Sequence, residues 1–201
     1  MSRIQRDGLL GLYLLLAGCA VQPPQPAQTE PVLYRSHLQQ IRQIETFELK
    51  GRIGVLTEKK GFSGLLRWYH NPEADEIAFF SPLGSQIGQI SANPDGVTLT
   101  TGDKKTYTAN DAETLTRDIL GWSLPLNGLP DWALGRPGAG EARILAWDIA
   151  GRILRMQQAG WDIEYPAYQD GQTGGLPAKV TLKSRELDLK LVIEQWRTTT
   201  D

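Results

Sequence analysis

The sequence predicts a mainly β domain with a few short helices (α+β): about eleven antiparallel strands in a curved sheet or half-barrel plugged by the helices. Three observations carry this. Short segments of alternating apolar and polar residues recur along the chain, separated by turn-forming tetrapeptides and tripeptides. A proline-punctuated stretch, with Pro125, Pro130 and Pro137, interrupts them once and leaves room only for short helices. A meander of that length must curl to bury one face.

The first element is a helix over residues 33–46, where Leu33, Tyr34, Leu38, Ile41 and Ile44 fall on one face. At Phe47 the period changes to two, with Phe47, Leu49, Gly51, Ile53 and Val55 alternating against Glu48, Lys50 and Arg52. After the turn at 58–61, Phe62, Gly64, Leu66 and Trp68 share a face in a strand over 62–70. Strands follow at 76–81, 86–92, 97–101 and 105–109, joined by PLGS, NPDG and GDK connections of hairpin length. Asn110, with Glu113 three residues on, resembles a capping box and opens a helix. A second short helix spans 129–134, with Pro130 near its start and Gly135 at its end. Strand patterns resume at 142–148, 152–158, 161–168, 177–184 and 186–195.

The N-terminus is an address. Arg3 and Arg6 precede the apolar run from Gly8 to Gly18, which is of signal-peptide length and short of the ~20 residues that span a bilayer. Leu16-Ala17-Gly18-Cys19 ends it with small residues directly before the sole cysteine, and this resembles a bacterial lipobox. The resemblance implies that residues 1–18 are a cleaved lipoprotein signal peptide and that Cys19 is the lipidation site. Two or more acyl chains anchor stably, at ~0.8 kcal/mol per buried methylene. Ala20 after the cysteine is compatible with delivery to the outer membrane of a Gram-negative bacterium, facing the periplasm. Residues 19–32 form the lipidated cysteine and a linker, with four prolines between residues 20 and 31. Twelve such residues reach at most ~36 Å. Residues 33–201 are one domain.

Charge and chemistry exclude much. With 21 basic and 23 acidic residues there is no polybasic footprint for nucleic acid. One cysteine and two histidines offer neither a disulfide nor a metal cage, so no metal and no cofactor is expected. There is no nucleophile elbow, phosphate loop or zinc motif. His37 beside Ser36 on a helix makes no dyad, and His70 lies at a turn; both read as surface residues. No pair of carboxylates is singled out, and the chain reads as a non-enzyme.

Two features remain. The six tryptophans, Trp68, Trp122, Trp132, Trp147, Trp161 and Trp196, fill a core or wall a cavity; for Trp68, Trp132 and Trp161 the two readings stand even. In Ser81-Pro82-Leu83-Gly84-Ser85, Pro82 and Gly84 force a turn that puts Leu83 at its tip, where an apolar residue either folds back or probes a membrane.

The lipobox, FELKGR at 47–52, LLRWYH at 65–70, SPLGS at 81–85, YTANDAETL at 107–115, LPLNGLPDWALGRPG at 124–138 and GWDIEYPAY at 160–168 together resemble the LolB family of outer-membrane lipoprotein receptors. The resemblance implies a monomeric open half-barrel of eleven strands with a helical lid. It implies a receptor that accepts lipoproteins from the periplasmic carrier LolA and inserts them into the outer membrane without nucleotide energy. The acylated N-termini of the cargo would occupy the apolar interior. Tyr34, Trp68, Trp132 and Trp161 fall where the family has its aromatic lining, and Pro82, Leu83 and Gly84 fall on its membrane-insertion loop. The alternatives from the residues alone are a lipocalin-like cup for a small apolar ligand, a scaffold lipoprotein whose tryptophans are all core, and an envelope hydrolase.

Overall fold

A computed structural model describes residues 31–170 and 175–200. The signal peptide, Cys19 and all of the linker before Pro31 lie outside the described residues. Fourteen elements follow one another: α1 (Val32–Arg42), β1 (Ile44–Thr57), β2 (Gly61–Asn71), β3 (Ala74–Phe80), β4 (Gln86–Asn93), β5 (Gly96–Thr101), β6 (Thr106–Ala109), α2 (Ala112–Leu120), α3 (Leu129–Ala133), β7 (Ala142–Trp147), β8 (Ile153–Gln158), β9 (Trp161–Tyr168), β10 (Pro177–Lys183) and β11 (Leu187–Thr200).

All eleven strands form a single antiparallel sheet in the order β6-β5-β4-β3-β2-β1-β11-β10-β9-β8-β7. Two meanders are thus joined at the centre by the long pairing of β1 with β11, which runs from Ile44–Thr200 to Thr57–Leu187. The outer strands β6 and β7 do not pair, so the sheet is open, as the sequence leads one to expect. The chain crosses from one edge to the other through residues 110–141, which carry α2 and α3.

The central pair also bends. Lys50 faces Gln195 but Gly51 faces Ile193, which leaves Glu194 bulged. A Cβ built on Gly51 would run into the carbonyl oxygen of Val192, so the close approach at this bend requires glycine.

The period-two pattern sorts the faces. Leu49, Ile53 and Val55 of β1 are buried, as are Leu66 and Trp68 of β2, Ile77 and Phe79 of β3, Ile90 of β4 and Leu99 of β5. Across the centre, Leu187, Leu189, Leu191 and Ile193 of β11 and Val180 and Leu182 of β10 continue that face. Leu115, Leu124, Leu129, Trp132 and Leu134 of the helical segment cover it, and all join one core.

Element ends differ from the periodicity in three instructive ways. The first helix stops at Arg42 because Ile44 already pairs with Thr200 on β11. The cap of α2 is Asp111 rather than Asn110: its carboxylate accepts from the Thr114 backbone N–H at 2.7 Å. Gly121, at φ +83, closes the same helix. Neither histidine is the surface residue the sequence suggests: His37 is half-buried on α1. His70 lies within β2 with its ring 2.8 Å from Asp75, and its side chain is only 17 % exposed. No helix among the described residues is long and apolar enough to cross a membrane.

Candidate functional site: the covered apolar face

The helical segment is fixed unequally along its length. At the α3 end polar contacts rivet it to the sheet. The Trp132 indole N–H donates to Oε1 of Gln158 on β8 at 2.8 Å, and the same oxygen accepts from the Gly138 N–H at 2.9 Å. The Gln158 amide returns a hydrogen bond to the Gly138 carbonyl at 3.0 Å. The Tyr165 hydroxyl on β9 donates to the Trp132 carbonyl at 3.0 Å. Burial raises the Tyr165 hydroxyl well above the usual phenol pKa, so it remains a donor throughout the physiological range. Arg136 completes the fastening. Its Nε pairs with Asp131 at 2.6 Å, and its Nη1 donates to the carbonyls of Ile41 and Ile44 at 2.7 and 3.1 Å. One guanidinium thus joins the end of α3 to the α1–β1 corner.

At the α2 end the side-chain hydrogen bonds stay within the segment. Thr116 donates to the Ala112 carbonyl and accepts from the Leu124 N–H at 2.7 and 2.8 Å, and Arg117 donates to Ser123 at 3.0 Å. Apolar packing of Leu115, Ile119, Leu120 and Trp122 holds this end on the sheet. Beneath it lies an apolar cavity of about 160 Å³, walled by Phe62, Phe79, Ile87 and Leu99 of the strands and roofed by Leu120 and Trp122. That volume is well below the ~300–1,000 Å³ of a ligand-filled pocket. A larger apolar guest does not fit in this space as α2 is placed.

The residues singled out in the sequence separate into three groups. Tyr34 is buried on α1, with its ring centroid 5.7 Å from that of Trp147. Trp132 is buried and Trp161 half-buried, with centroids 6.2 Å apart at the α3 end. Trp68 is buried beyond the centre of the sheet, edge-on to Phe47, and its indole N–H donates to Asp75 at 2.7 Å. None of these four walls the 160 Å³ cavity. Trp122, which the sequence does not distinguish from the other tryptophans, roofs it.

The tip at Leu83 is almost fully exposed, at 96 %. The Ser81 N–H donates to the Ser85 carbonyl at 2.8 Å and the Gly84 N–H to the Ser81 carbonyl at 2.9 Å, with Gly84 at φ +88. Pro82 and Gly84 are exposed on either side. The leucine therefore stands on a rigid turn rather than on a loose loop.

Among the described residues no group of His, Cys, Asp and Glu could hold a metal ion. A separate polar cluster joins Asp75 to the Trp68 indole N–H at 2.7 Å and to the His70 ring at 2.8 Å.

An open antiparallel sheet whose apolar face is covered by a short helical segment defines the class: a half-barrel with helices packed over an apolar interior. The model of the family described as "Outer membrane lipoprotein LolB" matches residues 45–196. The chain is 35 % identical over 191 residues to the outer-membrane lipoprotein LolB of Nitrosococcus oceani, covering 94 % of this chain and 95 % of that one. It is 34 % identical over 189 residues to the LolB of Thiobacillus denitrificans, covering 94 % and 95 %. A crystal structure of a DUF1329 family protein from Desulfovibrio piger shares the fold at a TM-score of 0.54 and 8 % identity, covering 85 % of this chain and 94 % of that one. The chain belongs to the LolB family.

Proposed function

We propose that this protein is an outer-membrane-anchored receptor that takes acylated lipoproteins from the periplasmic carrier LolA and passes them to the outer membrane without nucleotide energy. It performs no catalysis. The observation that carries this reading is the apolar cavity beneath Trp122, under the end of the lid that packing alone holds down. The names of its relatives as outer-membrane lipoproteins support the location.

Three acyl chains of about 15 methylenes each represent ~36 kcal/mol of transfer free energy at ~0.8 kcal/mol per methylene. Such cargo crosses water only inside a protein, and transfer runs downhill from carrier to receptor to bilayer. In this reading the chains enter under α2, displace Trp122 and spread over Phe62, Phe79 and Leu99. Tyr34, Trp68, Trp132 and Trp161 form the aromatic interior beyond, reached as the lid lifts further. Leu83, between Pro82 and Gly84, contacts the bilayer during release, and Cys19 carries the anchor.

Hand-over tests the proposal. Protein lacking residues 1–19 is mixed with a carrier–lipoprotein complex, and the cargo is followed by co-purification. Cargo that moves without nucleotide supports the receptor. Cargo that stays on the carrier while this protein is folded overturns it in favour of a small-ligand cup.

A further inference from the structure

The strand directions place two exposed apolar clusters at opposite ends of the sheet. The β3–β4 turn carrying Leu83 lies at the end where Thr57 faces Leu187. The β7–β8 turn lies at the other end, where Ile44 faces Thr200. At the tip of that second turn Ile149 is 98 % exposed. It is not alone. The first residues of α1, Val32 and Leu33, are 73 % and 56 % exposed. The two pieces abut: Gly151 is packed so tightly on the start of α1 that a Cβ there would run into the Leu33 carbonyl carbon and the Tyr34 nitrogen. The turn is rigid, since Asp148 accepts from the backbone N–H groups of Ala150 and Arg152, both at 2.9 Å, and pairs with the Arg152 guanidinium at 2.7 Å.

We infer that Val32, Leu33 and Ile149 form a membrane-docking patch that seats this end of the domain on the bilayer holding its own anchor. Two observations select a bilayer. The chain enters the domain at Pro31, immediately before the patch, so a lipid on Cys19 keeps these residues within ~36 Å of the membrane through twelve linker residues. The helix behind the patch, VLYRSHLQQIR, contains Arg35 and Arg42, both exposed, and no carboxylate, which suits an anionic lipid surface. Docked in this way, the domain holds Leu83 at its far end, off the membrane. Leu83 touches lipid only after the patch lets go, so the resting and delivering contacts alternate.

The inference rests on the reading of Cys19 as a lipid anchor, and the test separates the two. The full lipidated chain carrying Ile149→Cys has one free thiol, because the Cys19 sulfur is consumed by the lipid. A bimane label on it is read in vesicles of phosphatidylethanolamine and phosphatidylglycerol containing brominated acyl chains. The same label at Ser63→Cys, exposed on β2, is the comparison. Vesicle flotation reports the anchor, and quenching reports the patch. The expected result is flotation of both proteins with quenching several-fold stronger at 149 than at 63. Val32→Glu, at an exposed site outside the core, should lower quenching at 149 to the level at 63 while flotation persists. Equal quenching at the two sites in floating protein overturns the patch. A label at 149 that is shielded only when the carrier is added assigns these residues to a protein partner and overturns it as well. Failure to float overturns the anchor reading, and the patch with it.

Discussion

Oε1 of Gln158 accepts the indole N–H of Trp132 at 2.8 Å, which ties the lid to a strand 26 residues away in the chain. The same side chain holds the backbone of Gly138 through both its oxygen and its nitrogen. Gln158→Leu leaves the buried Trp132 indole N–H and the half-buried Gly138 N–H without partners, each worth about 1–3 kcal/mol. The variant should lose roughly 2–4 kcal/mol in denaturant unfolding. A loss under ~0.5 kcal/mol would mean that the rivet at α3 is not what holds the lid.

Leu83→Glu should leave unfolding unchanged, because a side chain 96 % exposed contributes nothing to the core. Cargo uptake from the carrier should persist, while transfer of the cargo into vesicles stops. Equal loss of uptake and release would end the division of labour between the cavity and the tip.

Gly151 has φ +81 and meets the backbone of α1. Gly151→Ala combines left-handed backbone strain of about 1 kcal/mol with a clash against backbone that cannot yield. We expect a total above ~2 kcal/mol and movement of α1 away from the β7–β8 turn, read as increased amide exchange over residues 32–42. Gly140→Ala, at φ +92 with open space around it, serves as the comparison and should cost only the strain.

His37 makes stability depend on pH. Burial, and then the nearby Arg152 charge, hold its pKa below 6.5, with Asp148 opposing. Its Nε2 is buried and has no hydrogen-bond partner among the described residues. The folded state therefore keeps the ring neutral while the unfolded chain takes up a proton near 6.5. This contribution is constant at higher pH, and stability falls as pH drops through 6.5 toward the lowered folded value. His37→Leu should flatten the dependence of Tm on pH between about 7.5 and 5.5. An unchanged slope would show that other groups control it.

The strands were legible because burial on one face writes a period of two into Phe47–Val55 and Leu187–Ile193. The pairing of β1 with β11 was not, because local pattern says nothing about which strands close over the whole of the chain between Thr57 and Leu187. The tip at Leu83 could be read from Pro82 and Gly84 alone, since turn geometry is local. The fastening of the lid could not. Gln158 and Arg136 look like ordinary solvent-facing polar residues in the sequence, and only packing brings them against Trp132 and the Ile41 carbonyl. Trp122 does not stand apart from the other five for the same reason: a tryptophan in the core and a tryptophan over a cavity have identical local signatures. Asn110 displaced Asp111 as the expected cap because both residue types suit the position and the pattern shifts by one residue.

The most direct test of the account asks where acyl chains enter. A photo-reactive residue is placed at Ile87, on the wall of the cavity beneath Trp122, or at Trp161, beside Trp132 at the riveted end. Both positions are partly exposed, so the fold tolerates the change. After hand-over from the carrier, acylated cargo should cross-link first and most strongly from position 87. Cross-linking from 161 with none from 87 would contradict entry under α2 and place the opening at α3 instead.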